Sequence, residues 1–198
     1  SQSLVVPATR GQTCFIRVQS NVRASESVEG TLTANLIDFA LDRIQRAVRS
    51  AEASEQFPGC LVQSVNQSGT TFPETLVVWS PLKAAADPQG LPRVNELVVF
   101  CPDPANPSRL VELRDPSDTA TCPAIDNVAA WASLVDSLKT GNATEVVELS
   151  DRLRTAQTSG SDDPRGCVRF QVLMAPAAAE WADYRAASLT WQELSWPL

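Results

Sequence analysis

The chain has 198 residues, 43% of them hydrophobic and 20% charged, with a net charge of −7 and no histidine. This length and composition fit one ordinary globular domain and exclude wholesale disorder, while the acidic balance argues against nucleic acid or an anionic membrane surface as a partner. Without histidine, the commonest general base, metal ligand and nucleophile partner are missing, which leaves Ser-Lys, carboxylate or arginine chemistry for any enzyme.

Residues 1–14, with Leu4-Val5-Val6-Pro7 and Gly11, read as an irregular or extended lead-in. From about Phe15 to Ala53 the apolar spacing is helical. Phe15, Val18 and Val22 come first, then Leu32, Leu36, Phe39, Ala40, Ile44, Ala47, Val48 and Ala51 at intervals of three and four. Asp38, Asp42, Arg43, Arg46, Arg49 and Glu52 fall on the other face, with Asp42 and Arg46 spaced as a favourable ion pair. Gly30 is the weak point, and Thr31 could restart the helix there as an N-cap. Either one long helix or two pieces result, and Phe57-Pro58-Gly59 ends them.

Beyond Gly59 the period changes to strand. Cys60–Val65 and Thr75–Ser80 are β-rich runs with a turn at Ser68-Gly69 between them. A loop spans 81–93. The continuous apolar run Glu96-Leu97-Val98-Val99-Phe100-Cys101 predicts a strand buried on both faces. Three prolines between Pro102 and Pro107 make a rigid turn into Arg109–Arg114, so 96–114 is expected to be an antiparallel hairpin. Asp126 or Asn127 caps a helix through Val128, Trp131, Leu134, Val135 and Leu138, which Gly141 stops. Thr144–Arg154 is open between strand and helical turn. Residues 155–166 read as a mobile surface loop, Cys167–Met174 as a half-buried strand, and Pro176 begins a last helix carrying Trp181 and Tyr184. The order is α+β, a single domain over 1–198. It divides into 1–29 (lead-in and upper helix), 30–57 (helix packed on a sheet) and 58–198 (sheet-rich head).

The five cysteines, Cys14, Cys60, Cys101, Cys122 and Cys167, form no CxxC pair, so zinc spacing is absent. Buried thiols and disulfides both remain open, and the odd count leaves at least one thiol unpaired within the chain. There is no apolar run long enough to span a bilayer.

Candidate chemistry is thin. Asp162 with Asp163, and Asp115 with Asp118, are the carboxylate pairs worth weighing as a calcium site, which needs roughly six to eight oxygens. No spaced aspartate pattern supplies them, and solvated loop charge is the preferred reading. Ser80-Pro81-Leu82-Lys83 matches SxxK superficially but follows a strand and has no partner motifs. Glycine-rich phosphate loops are missing. The expectation is no catalytic residue, no metal and no cofactor.

Several segments together carry a resemblance. Asp42-Arg43-Ile44-Gln45-Arg46-Ala47-Val48-Arg49-Ser50-Ala51 ends an amphipathic helix, and Glu55-Gln56-Phe57-Pro58-Gly59 follows. Then come Thr75-Leu76-Val77-Val78-Trp79-Ser80-Pro81, Asn95 through Pro104, and Ser108-Arg109-Leu110-Val111-Glu112-Leu113. Over about residues 30–198 this resembles the globular part of prepilin-like proteins, close to the J-like minor pseudopilins of type II secretion. The resemblance implies a long N-terminal helix packed on a mostly antiparallel β-sheet with short extra helices. It also implies a membrane anchor upstream of Ser1, processed by a prepilin peptidase.

The implied role is a non-catalytic minor subunit. It would assemble with other pilin-like subunits by helix packing into a periplasmic pseudopilus or pilus tip, at the periplasmic or extracellular face of the inner membrane. A helix of ~39 residues would reach about 58 Å, beyond what the sheet can cover. Phe15, Val18, Val22 and Leu32 are therefore the expected partner-binding residues. The alternative is a soluble secreted binding module that offers an aromatic C-terminal patch, Trp181, Trp191 and Trp196, to a glycan or protein ligand.

Overall fold

Val, Leu, Phe and Trp crowd the middle of the chain, and these residues pair there into strands. The computed structural model describes residues 2–7, 13–20, 28–157, 163–175, 178–190 and 193, with side chains at most of these positions from Phe39 onward. In chain order the elements are β1 (Gln2–Pro7), β2 (Thr13–Ser20), α1 (Val28–Arg49), β3 (Cys60–Gln67), β4 (Thr70–Trp79), β5 (Leu97–Pro102), β6 (Leu110–Arg114), α2 (Val128–Ser137), β7 (Glu145–Ser150), β8 (Thr155–Ala156), β9 (Arg165–Gly166), β10 (Val168–Ala175) and α3 (Ala178–Arg185). The fold is α+β. Its main sheet has five antiparallel strands in the order β3-β4-β5-β6-β7, and a smaller sheet has the order β1-β2-β10.

The main sheet is the central layer, and its side-chain alternation sorts two cores. On one face Leu76 and Val78 of β4, Val98 and Phe100 of β5, and Leu110 of β6 pack under Ala40, Ile44 and Val48 of α1 and under Val168 and Phe170 of β10. On the other face Val77, Trp79, Leu97, Val99, Val111 and Leu113 pack against Phe57 and against Trp131, Val135 and Leu138 of α2. Burial on both faces explains why β5 carries no polar alternation. Each fully buried Leu, Val, Ile or Phe contributes about 1.5–3 kcal/mol relative to exposure. Ile44 and Val48 alone therefore hold α1 firmly.

Local chemistry sets the turns. Ser68 and Gly69 both have positive φ (48° and 77°), the backbone a two-residue hairpin loop needs between β3 and β4. Gly59 has φ +84°, and a Cβ there would stand 2.8 Å from the Glu52 carbonyl oxygen, so only glycine fits where the chain leaves α1 for β3. In β4, Pro73 has no N–H to give the ladder. The register shifts there, so that Pro73 and Glu74 together face the single residue Ser64. Asn127 Oδ1 accepts the Ala130 N–H at 3.1 Å and caps α2 as expected.

Two expectations are corrected. The helix does not run from Phe15. Thr13–Ser20 is a strand between β1 and β10, and α1 is described from Val28 to Arg49, so the described residues 2–7 and 13–20 of the expected lead-in and upper helix are strand. The spacing of Phe15, Val18 and Val22 suits a helix, but Cys14, Ile16 and Val18 alternate just as well, and the β-branched residues there favour the strand. Part of the 155–166 loop is paired in the β8–β9 ladder, and the segment Thr144–Arg154, open between strand and helical turn in the sequence, holds β7 over Glu145–Ser150.

Candidate binding surface

The four expected partner-binding residues do not share one helix. Phe15 sits on β2 opposite Val5 and Leu173, and Val18 sits on β2 opposite Gln2 and Phe170. Leu32 is in α1, and Val22 lies outside the described residues.

The described surface offers a different site, a cleft of about 570 Å³ between the C-terminal half of α1, the ends of β6 and β7, and the Ser80–Leu82 segment. Alternation along β6 puts Glu112 on the α1 face, where it is only 4% exposed. A buried carboxylate needs a charged partner, and Arg43 supplies one as a fork. Its Nε donates to Glu112 Oε2 and its NH2 to Oε1, both at 2.9 Å. Arg114, two residues along the same strand, adds its Nε to Oε1 at 3.3 Å and gives NH1 to the Ser80 carbonyl at 3.2 Å. The Ser50 and Ser80 hydroxyls meet at 2.8 Å across the cleft.

Arg46, one turn along from Arg43, faces the same cleft from an exposed position, with Nε 3.4 Å from the Asp42 carbonyl. Apolar groups rim it: Leu82 is 72% exposed and Val147 is 37% exposed. Three arginines (Arg43, Arg46, Arg114) oppose two glutamates (Glu112, Glu145) in the lining. The cleft is therefore locally positive in a chain of net charge −7.

A second cleft of about 350 Å³ is lined by Glu74, Asp103, Asp136, Lys139, Asp163 and Arg165, among others. The β4 bulge turns Glu74 inward, where Arg165 pairs with its Oε1 and Oε2 is left without a hydrogen bond. Lys139 Nζ donates to Thr75 Oγ1 at 2.6 Å, and the Arg165 and Arg169 guanidinium groups lie over the Phe72 ring at 5.7 and 4.6 Å.

The loop carboxylates serve their own backbone. Asp115 Oδ1 accepts the Ser117 hydroxyl at 2.6 Å and N–H at 3.1 Å, and the hydroxyl bond in first place holds this carboxyl below its ordinary range. Asp118 Oδ1 accepts the Ala120 N–H at 2.9 Å. Asp162 lies outside the described residues. Among the described residues no group of three or more His, Cys, Asp or Glu is placed to hold a metal ion. The segment after Ser80 is loop rather than helix.

Cys60, Cys101, Cys122 and Cys167 are thiols, and burial pushes Cys101 and Cys122 up to about 12. Two of the five tryptophans are core: Phe57 stacks on Trp131 at 5.5 Å and meets Trp79 edge-on at 6.2 Å. Trp181 lies on α3, while Trp191 and Trp196 lie outside the described residues.

Sequence reasoning missed two polar anchors. One is the Arg43–Glu112 fork. The other is Glu96, buried at the start of β5, which accepts the Trp79 indole N–H at 3.1 Å and the N–H groups of Ala86 at 2.6 Å and Arg93 at 2.9 Å. The only sequence signal for either is a glutamate inside or beside an apolar strand.

No protein-family profile matches the chain, and no curated protein or solved structure is significantly similar to it. Its role is therefore argued from its own geometry.

Proposed function

We propose that this chain is a non-catalytic, minor pseudopilin-like subunit that assembles with other pilin-like subunits through its helix and displays the sheet-rich head on the periplasmic side of a secretion or pilus tip. One observation carries the reading: the apolar stripe of the C-terminal half of α1 lies across an antiparallel sheet, while the helix continues back to Val28. Phe39 stands 44% exposed on the flank of that helix, and position 32 lies about two turns before it. The buried glutamates agree with a structural role, because Glu112 and Glu96 are each saturated by fixed donors rather than poised toward open space. Helix-to-helix contact is thereby assigned to Leu32 and Phe39, with Phe15 and Val18 given up to β2.

The test is the intact mass and N-terminal sequence of the native protein recovered from envelope membranes. An N-methylated apolar segment of about twenty residues, long enough to span, is expected ahead of Ser1. A mature soluble protein that begins at Ser1 overturns the filament role and favours the secreted binding module.

A further inference from the structure

We propose that the outer edge of β7, together with the arginine cleft beside it, docks an extended acidic segment of a partner protein. This goes beyond the assembly role and does not depend on it.

Among the described residues β7 has one ladder neighbour, β6, so its other edge presents backbone N–H and C=O groups ready for another strand. The edge is not blunted by proline or lysine, and it carries Val146, 60% exposed, and Val147 between Glu145 and Glu148. The cleft flanks this edge and shares Val147 and Glu145 with it.

Charge selects the occupant. Glu112 is neutralised by Arg43 and Arg114, and Glu148 pairs with Arg109 at 3.3 Å. Arg46 then remains as the exposed guanidinium facing the cleft, opposed by Glu145 at the mouth. Arg43 and Arg114 are held in place by Glu112, so an incoming carboxylate meets fixed positive groups without ordering them. The apolar rim of Leu82 and Val147 suits alternate apolar side chains on the incoming strand.

The experiment titrates the full chain with a fluorescein-labelled peptide of alternating valine and glutamate, with a valine–lysine counterpart, and with the acidic peptide N-methylated along one edge. Anisotropy is expected to rise with the acidic peptide alone and to fall with added salt. N-methylation is expected to abolish binding, and the β7 amide resonances to shift only with the unmodified acidic peptide. Arg46→Glu, an exposed change whose melting curve should match the parent, is expected to weaken binding about tenfold. Equal binding of acidic and basic peptides, indifference to Arg46→Glu, or indifference to N-methylation overturns the proposal. So does the absence of binding at about millimolar peptide, a typical weak limit. A concentration-dependent dimer that buries β7 would also overturn it, by assigning the edge to a second copy.

Discussion

Arg43 grips both carboxylate oxygens of Glu112 across 69 residues of chain, with Nε and NH2 each at 2.9 Å. The pair joins α1 to a strand next to the edge of the sheet, and Glu112 is nearly inaccessible while Arg43 keeps a third of its side chain in solvent. Removing the acid leaves two partly buried guanidinium groups without their anion. Glu112→Ala is therefore expected to destabilise the fold by about 3 kcal/mol, and Arg43→Met/Glu112→Leu to recover only part of that loss, because Arg114 still lacks its anion. Urea denaturation of the single and double variants checks both. Equal losses in the two proteins would mean that packing, not charge, holds the site.

Glu96 makes a second prediction. Its Oε1 and Oε2 accept three N–H groups that close the 81–93 loop over Trp79. An amide in its place turns an NH2 toward at least one of those donors. Glu96→Gln should cost about 1–3 kcal/mol despite its similar shape, and it should open the loop to limited proteolysis before the body of the protein unfolds.

The thiols give a pH dependence with a definite sign. Cys101 and Cys122 stay protonated in the fold until about pH 12, against an ordinary value of 9.0. Above about pH 9 the unfolded chain sheds protons that the folded chain retains. Stability therefore falls as pH rises, by about 1.4 kcal/mol per unit for each thiol. Chemical denaturation between pH 8 and about pH 10.5 should show this slope, and Cys122→Ala should remove about half of it. In the native protein at neutral pH, Cys167 should be alkylated ahead of Cys101 and Cys122, as peptide mapping would read, because it is partly exposed and they are buried.

Gly59 supplies the sharpest backbone test. Its φ of +84° and the Glu52 carbonyl at 2.8 Å from any added Cβ act together. Gly59→Ala is expected to cost more than the roughly 1 kcal/mol of left-handed strain alone. Gly69→Ala, with the same sign of φ but open space around it, should cost only about that strain. Similar melting points for the two variants would show that the steric contact relaxes freely.

Much of the architecture was legible because it is local. The buried run Leu97–Cys101, the Ser68-Gly69 turn, the Asn127 cap and the alternation of Val168, Phe170 and Val172 each declare themselves within a few residues. The N-terminal strand was not, because Phe15, Val18 and Val22 satisfy the helical period as well as Cys14, Ile16 and Val18 satisfy the strand period. The cleft was invisible for another reason. Arg43 and Arg46 look like the solvent side of a helix, and only the pairing of β6 beneath α1 brings Glu112 to meet them. Ambiguity over Thr144–Arg154 has the same root: an edge strand exposed on several positions carries little pattern.

The broadside seating of α1 has a mechanical meaning. A pull along the helix axis loads Ala40, Ile44, Ala47 and Val48 and the Arg43 fork together in shear, instead of peeling them one at a time. Tension entering near Val28 would pass into the sheet as a shared load, and the strands, lying under the helix, would bear it before the loops did.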